Sequence, residues 1–146
     1  MKSILNYTTE VSAQRSVNEI TALLTKAKAQ AILTELEDGA VSAISFRIQT
    51  EFGILTFRLP ARISQTYAVL SKSRDIPPRL RTRDQATRVA WRIVKDWLEA
   101  QLAMIEAGLV DLEQVFLPYA QNQAGQTVYD VMKSQRFSNL LLDAAK

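Results

Sequence analysis

Apolar residues recur at Val17, Ile20, Leu23, Leu24 and Ala27, the three- and four-residue spacing of one helix face. Ser16-Val17-Asn18-Glu19 follows the capping-box pattern, so a first helix is predicted over about residues 17–29 with Ser16 as its N-cap. The period then shortens. Residues 31–37 end in alternation and run into Asp38-Gly39, a hairpin signal. Residues 41–48 alternate, with Ile44, Phe46 and Ile48 on one face. Gly53 marks a second tight turn. Residues 54–59 then send Leu55, Phe57 and Leu59 one way and Thr56 and Arg58 the other. Pro60 closes this strand, because proline cannot donate to a ladder. Successive strands joined by short turns predict an antiparallel meander. Residues 3–11 are expected to add a short strand or an extended arm.

Beyond the sheet, Ile63, Tyr67 and Leu70 form one stripe of a helix predicted over residues 63–73. Pro77 and Pro78 interrupt helical structure, so residues 75–83 are read as an extended, basic, exposed loop. Asp84 is the expected N-cap of the longest helix, residues 85–107, which Gly108 ends. On a helical wheel Ala90, Trp91, Ile93, Val94, Trp97, Leu98, Met104 and Ile105 fill an apolar arc of about 180°. Arg88, Arg92, Lys95, Glu99 and Glu106 occupy the other side. Trp97 lies near the centre of the arc and Trp91 near its edge. Core packing is the commoner role for both, and Trp91 is also a candidate to stack on a base. After Gly108, residues 111–116 suggest a short helical turn. Residues from 126 to about 133, with 137–142, suggest a last helix. The fold class expected is α+β: a three- to four-stranded antiparallel sheet on a long amphipathic helix and two or three shorter helices. All 146 residues suit one domain, with 109–146 as a more loosely packed C-terminal extension.

Composition narrows the chemistry. The chain is 47% hydrophobic and 23% charged, with 4 Gly and 4 Pro, which fits a globular protein rather than a linker or fibre. Cys and His are both 0, which excludes thiol catalysis, an imidazole base, a Ser-His-Asp triad and a Cys/His zinc site. No cofactor, metal or catalytic residue is expected. Glu35, Glu37 and Glu51 sit at strand ends and turns, where solvation explains them better than a metal-dependent nuclease site. No Gly-rich phosphate loop, nucleophile elbow or dinucleotide fingerprint is present. No apolar run reaches membrane-spanning length, and the first residues lack the apolar stretch of a secretion signal. A cytoplasmic protein is therefore expected, with no membrane partner.

Charge is unevenly laid out. The net charge is +3, yet residues 47–95 hold eleven basic and three acidic side chains, and nine of the eleven are arginine. The planar guanidinium fork matches phosphate and carboxylate. The candidate nucleic-acid-binding residues are Arg74, Arg79, Arg81 and Arg83 on the loop, then Arg88, Trp91, Arg92 and Lys95 on the long helix. If the loop folds over the helix stripe, clustered charge of the kind a polyanion binder needs results. The competing reading is a solvated face with local pairs such as Arg88 with Asp84 or Arg92 with Asp96. Phe116-Leu117-Pro118-Tyr119 is an apolar cluster that either seals the tail onto the core or, with Leu140-Leu141-Leu142, meets another subunit. Phe116, Leu117, Tyr119 and Leu141 are the candidate interface residues.

Two stretches carry a resemblance: residues 88–103, beginning Arg88-Val89-Ala90-Trp91-Arg92, together with Val115-Phe116-Leu117-Pro118-Tyr119, and Phe57-Arg58-Leu59-Pro60-Ala61. They resemble small uncharacterised proteins of bacteriophages and mobile elements. The resemblance implies that setting and carries over no activity and no functional residue. Two functions are thus expected in competition. One is a non-enzymatic nucleic-acid-binding protein that contacts phosphates through the Arg-rich loop and helix face. The other is a protein–protein interaction or assembly module, either a homo-oligomer or a host-factor binder.

Overall fold

A computed structural model describes residues 3–143. Helix α1 (Ala13–Lys26) leads into strands β1 (Ala31–Glu37), β2 (Ala40–Thr50) and β3 (Gly53–Pro60). Helix α2 (Ile63–Lys72), the long helix α3 (Arg83–Glu106) and the short helices α4 (Leu112–Phe116) and α5 (Val128–Ser134) follow. The class is α+β with an antiparallel sheet in the order β1-β2-β3. Residues 3–11 do not add a fourth strand. They form a turn that packs Ile4 and Tyr7 beside α2 and α3.

Helix α1 starts one turn earlier than its sequence pattern suggested. Ser12, not Ser16, is the N-cap, and its Oγ accepts from the Arg15 N–H at 3.1 Å. Ser16 is fully buried inside the helix, one turn along the same face. The helix also ends earlier. Lys28 adopts φ 70°, and the N–H groups of Lys28 and Ala29 donate back to Thr25 O and Leu24 O, a Schellman closure made without glycine. Helix α3 likewise starts earlier: Thr82 caps it by accepting from the Gln85 N–H at 3.1 Å, and Asp84 lies in the first turn.

The sheet keeps the predicted alternation from Phe46 onward, while Ala43 and Ser45 on the other face are buried as well. Phe46 on the central strand stands between Ile32 on β1 and Phe57 on β3. Ile44, Phe46, Ile48, Phe57 and Leu59 are buried, while Arg47, Gln49 and Ile54 are exposed. Asp38 and Gly39 turn the first hairpin, both at positive φ (51° and 79°), as a tight two-residue turn requires. A bulge falls between Glu35 and Leu36, where Glu35 pairs with Ala43 but Leu36 pairs with Val41. The extra residue, Ser42, donates its hydroxyl to Glu35 O and accepts from the Ala61 N–H.

Two cores share α3. The larger joins α1 through Val17, Ile20 and Leu24, the buried sheet face, and Ala90, Trp91 and Leu98 of α3. The smaller joins Leu70 of α2, Ile76 of the connecting segment and Ala86 of α3. Trp91, placed by the wheel near the edge of the apolar arc, is the fully buried tryptophan, and its indole N–H donates to Val41 O at 2.8 Å. Trp97 is only partly buried and meets Phe116 and Tyr119 edge-on, at ring separations of 5.8 and 5.6 Å.

The segment after Gly108 is stitched to the sheet. Phe116 is fully buried against Phe46 and Phe57, at 5.4 and 5.6 Å. Ala120 bridges to Phe57, and the Gln121 N–H donates to Thr56 O at 2.8 Å. Phe116 is therefore a core residue and not an interface residue, because no part of its ring reaches solvent. Leu117, its neighbour, is 53% exposed. Phe116→Ala should lower stability by about 3–5 kcal/mol through the cavity it leaves. Leu117→Ser should change it by no more than about 0.5 kcal/mol. Urea midpoints of the two variants test this, and equal losses would contradict the packing described.

Candidate nucleic-acid interface

The connection between α2 and α3 is ordered by its own sequence. Ile76 is completely buried in the smaller core, which pins the middle of the segment. Pro78 then starts a 3-10 turn, Pro78–Leu80, where its fixed φ and missing N–H suit the first position. The segment is thus neither extended nor uniformly exposed, and its arginines leave it in set directions. Arg74 and Arg79 are exposed, and Arg81 is half-buried with a buried Nε that has no hydrogen-bond partner. Arg83 opens α3 and donates Nη2–H to Ser64 Oγ at 3.2 Å, which ties the starts of α3 and α2 together.

Ion pairing divides the predicted cations. Arg92 donates to Glu19 Oε2 of α1 at 2.7 Å, lies 3.8 Å from Asp96, and keeps only 14% of its side chain exposed. Lys95 is 2.8 Å from Glu99 and 3.9 Å from Asp96, with 12% exposed. Trp91 is wholly enclosed, so neither ring face is available to a base. These three residues leave the candidate surface: the tryptophan because it is core, the two cations because carboxylates already satisfy them. Among the described residues, by contrast, no ion pair involves Lys72, Arg74, Arg79, Arg81, Arg83 or Arg88. The expected Arg88 pair with Asp84 does not form. From residue 72 to residue 88 the chain carries six cations against two carboxylates, Asp75 and Asp84.

Two concavities border this segment. One, of about 310 Å³, is lined by Arg79, Leu80, Gln85 and Arg88 and by Thr8, Thr9 and Glu10 of the N-terminal turn. The other, of about 480 Å³, lies where α2 and α3 begin. Its lining mixes the charges of Arg58, Arg62 and Arg83 with those of Glu37, Asp38 and Asp84. Arg58 is committed across the open sheet face to Glu35, at 2.8 and 3.3 Å. Arg62 and Gln85 were not among the residues expected here. Arg62 had a signal, a cation between the strand-closing Pro60 and the start of α2. Gln85 had none, since its role depends on carbonyls of a segment far away in the chain. Glu35, Glu37 and Glu51 do not assemble: no cluster of carboxylates able to hold a metal exists among the described residues.

No family model matches this chain, and no curated protein or solved structure matches it either. Among the described residues, no helix is long and apolar enough to cross a membrane.

The Glu19–Arg92 pair gives the α1–α3 seam a pH dependence. Burial pushes the Glu19 carboxyl upward. The Arg92 hydrogen bond and the charges of Arg92, Lys95 and Arg15 outweigh this and hold it below its ordinary value. A carboxyl depressed in the folded state contributes stability above the ordinary carboxylate range, and that contribution disappears as pH falls through it. Glu19→Gln should therefore be less stable than the parent near neutrality, with the difference closing as pH falls below the ordinary carboxylate range. Urea midpoints measured across that range test the assignment; a difference that does not depend on pH would remove it.

Proposed function

We propose that the protein binds nucleic acid without catalysing a reaction, and that it does so through the phosphates. The observation that carries this reading is the division of the cations. Arg92 and Lys95 have their own carboxylates, whereas Arg74, Arg79, Arg81, Arg83 and Arg88, with Lys72, have none. Like charges held together on an ordered segment repel unless a counter-charge arrives, and a phosphate chain supplies it at regular spacing. Guanidinium groups suit it because each offers a paired donor fork to two phosphate oxygens. With Trp91 enclosed, base stacking is not part of the reading, and contacts to the backbone make it tolerant of sequence. The protein works in the cytoplasm on this reading, supported by the complete absence of cysteine.

A second reading, self-association or docking to another protein, rests on the C-terminal leucines. Leu140, Leu141 and Leu142 are 69%, 51% and 108% exposed, and Leu117 is separately exposed at 53%. Tyr119 is half-buried and packs its ring against Trp97. A strict monomer in sedimentation over a wide concentration range would count against the self-association form.

The nucleic-acid reading is tested by a salt series on labelled single-stranded DNA, duplex DNA and RNA. Log affinity should fall linearly with log salt. Arg81, Arg83 and Arg88 changed together to Ala should reduce the slope by about two to three, at roughly 0.7–0.9 per lost phosphate contact. Lys95→Ala should leave it unchanged. An unaltered slope in the triple variant would reject this surface, and no binding at low salt would reject the function.

A further inference from the structure

The smaller concavity holds a feature that phosphate tracking does not use. Gln85 is 5% exposed, and its carboxamide donates Nε2–H to Tyr7 O at 2.8 Å and to Thr9 O at 3.0 Å. Backbone carbonyls only accept, so the amide nitrogen must face them, and the orientation of the group is settled by chemistry. Its Oε1 is thereby turned away from both carbonyls, and it receives no hydrogen bond among the described residues. It is not enclosed, since among the described residues the one buried side-chain polar atom without a partner is Arg81 Nε. Gln85 lines the cleft, and Oε1 is its side-chain polar atom that the bonds to Tyr7 O and Thr9 O leave without a partner.

The same cleft holds two guanidinium groups, Arg79 and Arg88, neither paired with the Glu10 carboxylate that also lines it. It therefore presents strong donors and strong acceptors together. A bare anion satisfies the arginines but leaves Gln85 Oε1 idle and meets Glu10 unfavourably. A molecule with an anionic end and a donor end satisfies both. At about 310 Å³ the cleft is at the lower end of the size range of small-ligand sites. Leu80 offers a patch of apolar wall.

We propose that this cleft takes one unpaired nucleotide, with Arg79 and Arg88 on its phosphate and Gln85 Oε1 accepting from an N–H of the base or the 2′-O–H of the ribose. The inference rests on the nucleic-acid reading and deepens it: the surrounding arginines track the strand, and the cleft holds a single residue of it. Base pairing engages the base N–H groups, so where the base supplies the donor the cleft favours a single strand or a strand end.

The test uses the full-length protein and adenosine monophosphate as probe, followed by amide NMR shifts. Saturable shifts are expected at Thr9, Leu80 and the Gln85 side-chain amide, with inorganic phosphate binding about tenfold more weakly or worse, the loss that one good hydrogen bond accounts for. Arg79→Ala with Arg88→Ala should abolish the shifts, while Arg74→Ala with Arg83→Ala should preserve them. Gln85 is too deeply tied to be replaced safely, so its role is read from the ligand. Deoxyadenosine monophosphate lacks the 2′-hydroxyl and purine riboside monophosphate lacks the amine. Whichever donor Gln85 accepts from, its removal should weaken binding several-fold. Equal binding of phosphate and all three nucleotides would overturn the proposal, as would shifts that survive the Arg79/Arg88 change. If those results come with an intact salt slope on polymers, the cleft falls and the wider surface stands. If polymers fail to bind but adenosine monophosphate binds as described, the cleft stands as a site for a free nucleotide and the surface reading falls.

Discussion

Trp91 is the contact on which the rest of the structure depends. Its ring is fully enclosed at the junction of α3 and the sheet, and its N–H donates to Val41 O, beside the bulge in β2. A bulge disturbs the ladder locally and turns the strand. Here it falls where the long helix needs a carbonyl for a buried indole, which is costly to leave unpaired. With Trp91 held, α3 lies along the sheet as a common wall. Helix α1 closes one flank to make the larger core, and α2 with Ile76 closes the other to make the smaller.

That arrangement also decides which charges are free. The α1 flank brings Glu19 to Arg92, and the N-terminal turn brings the Asn6 side chain to Asp96 at 2.9 Å. Helix α2 carries no carboxylate of its own. It brings Ser64, which accepts a hydrogen bond from Arg83 and leaves its charge in place. The basic surface is therefore a consequence of helix packing as much as of local composition. Along one stripe of α3, Arg92 and Lys95 are neutralised and Arg88 is not.

Much of this was legible in the chain. The alternation around Phe46 and Phe57, the Asp38-Gly39 turn and the long amphipathic stretch all report local preferences that the fold keeps. What was not legible depends on partners distant in sequence or on exceptions to residue preference. Ser12 and Ser16 are a turn apart, so the periodicity cannot choose between them as caps, and the burial of Ser16 against α3 chooses. Lys28 closes α1 in a conformation usually taken by glycine, so the stop carries no glycine signal. The wheel ranks Trp97 above Trp91 because it sees one helix. It does not see that Trp97 stays only partly buried, beside the rings of Phe116 and Tyr119.

For the candidate surface, charge density was visible and charge pairing was not. Arg88, Arg92 and Lys95 share a stripe and look equivalent by spacing, yet their fates differ because Glu19 stands far away in the sequence. Gln85 looks like any polar helix residue until the N-terminal turn folds against it. The prolines pointed to a break in helical structure, and that much holds, but Ile76 turns the break into an anchored turn rather than a loose loop. That difference bears on binding. A mobile basic loop loses conformational entropy when it meets a phosphate chain, whereas an anchored one has already lost it on folding. The buried Ile76 side chain, which touches no ligand in either proposed mode, is thus the residue that makes the neighbouring arginines a surface rather than a tether.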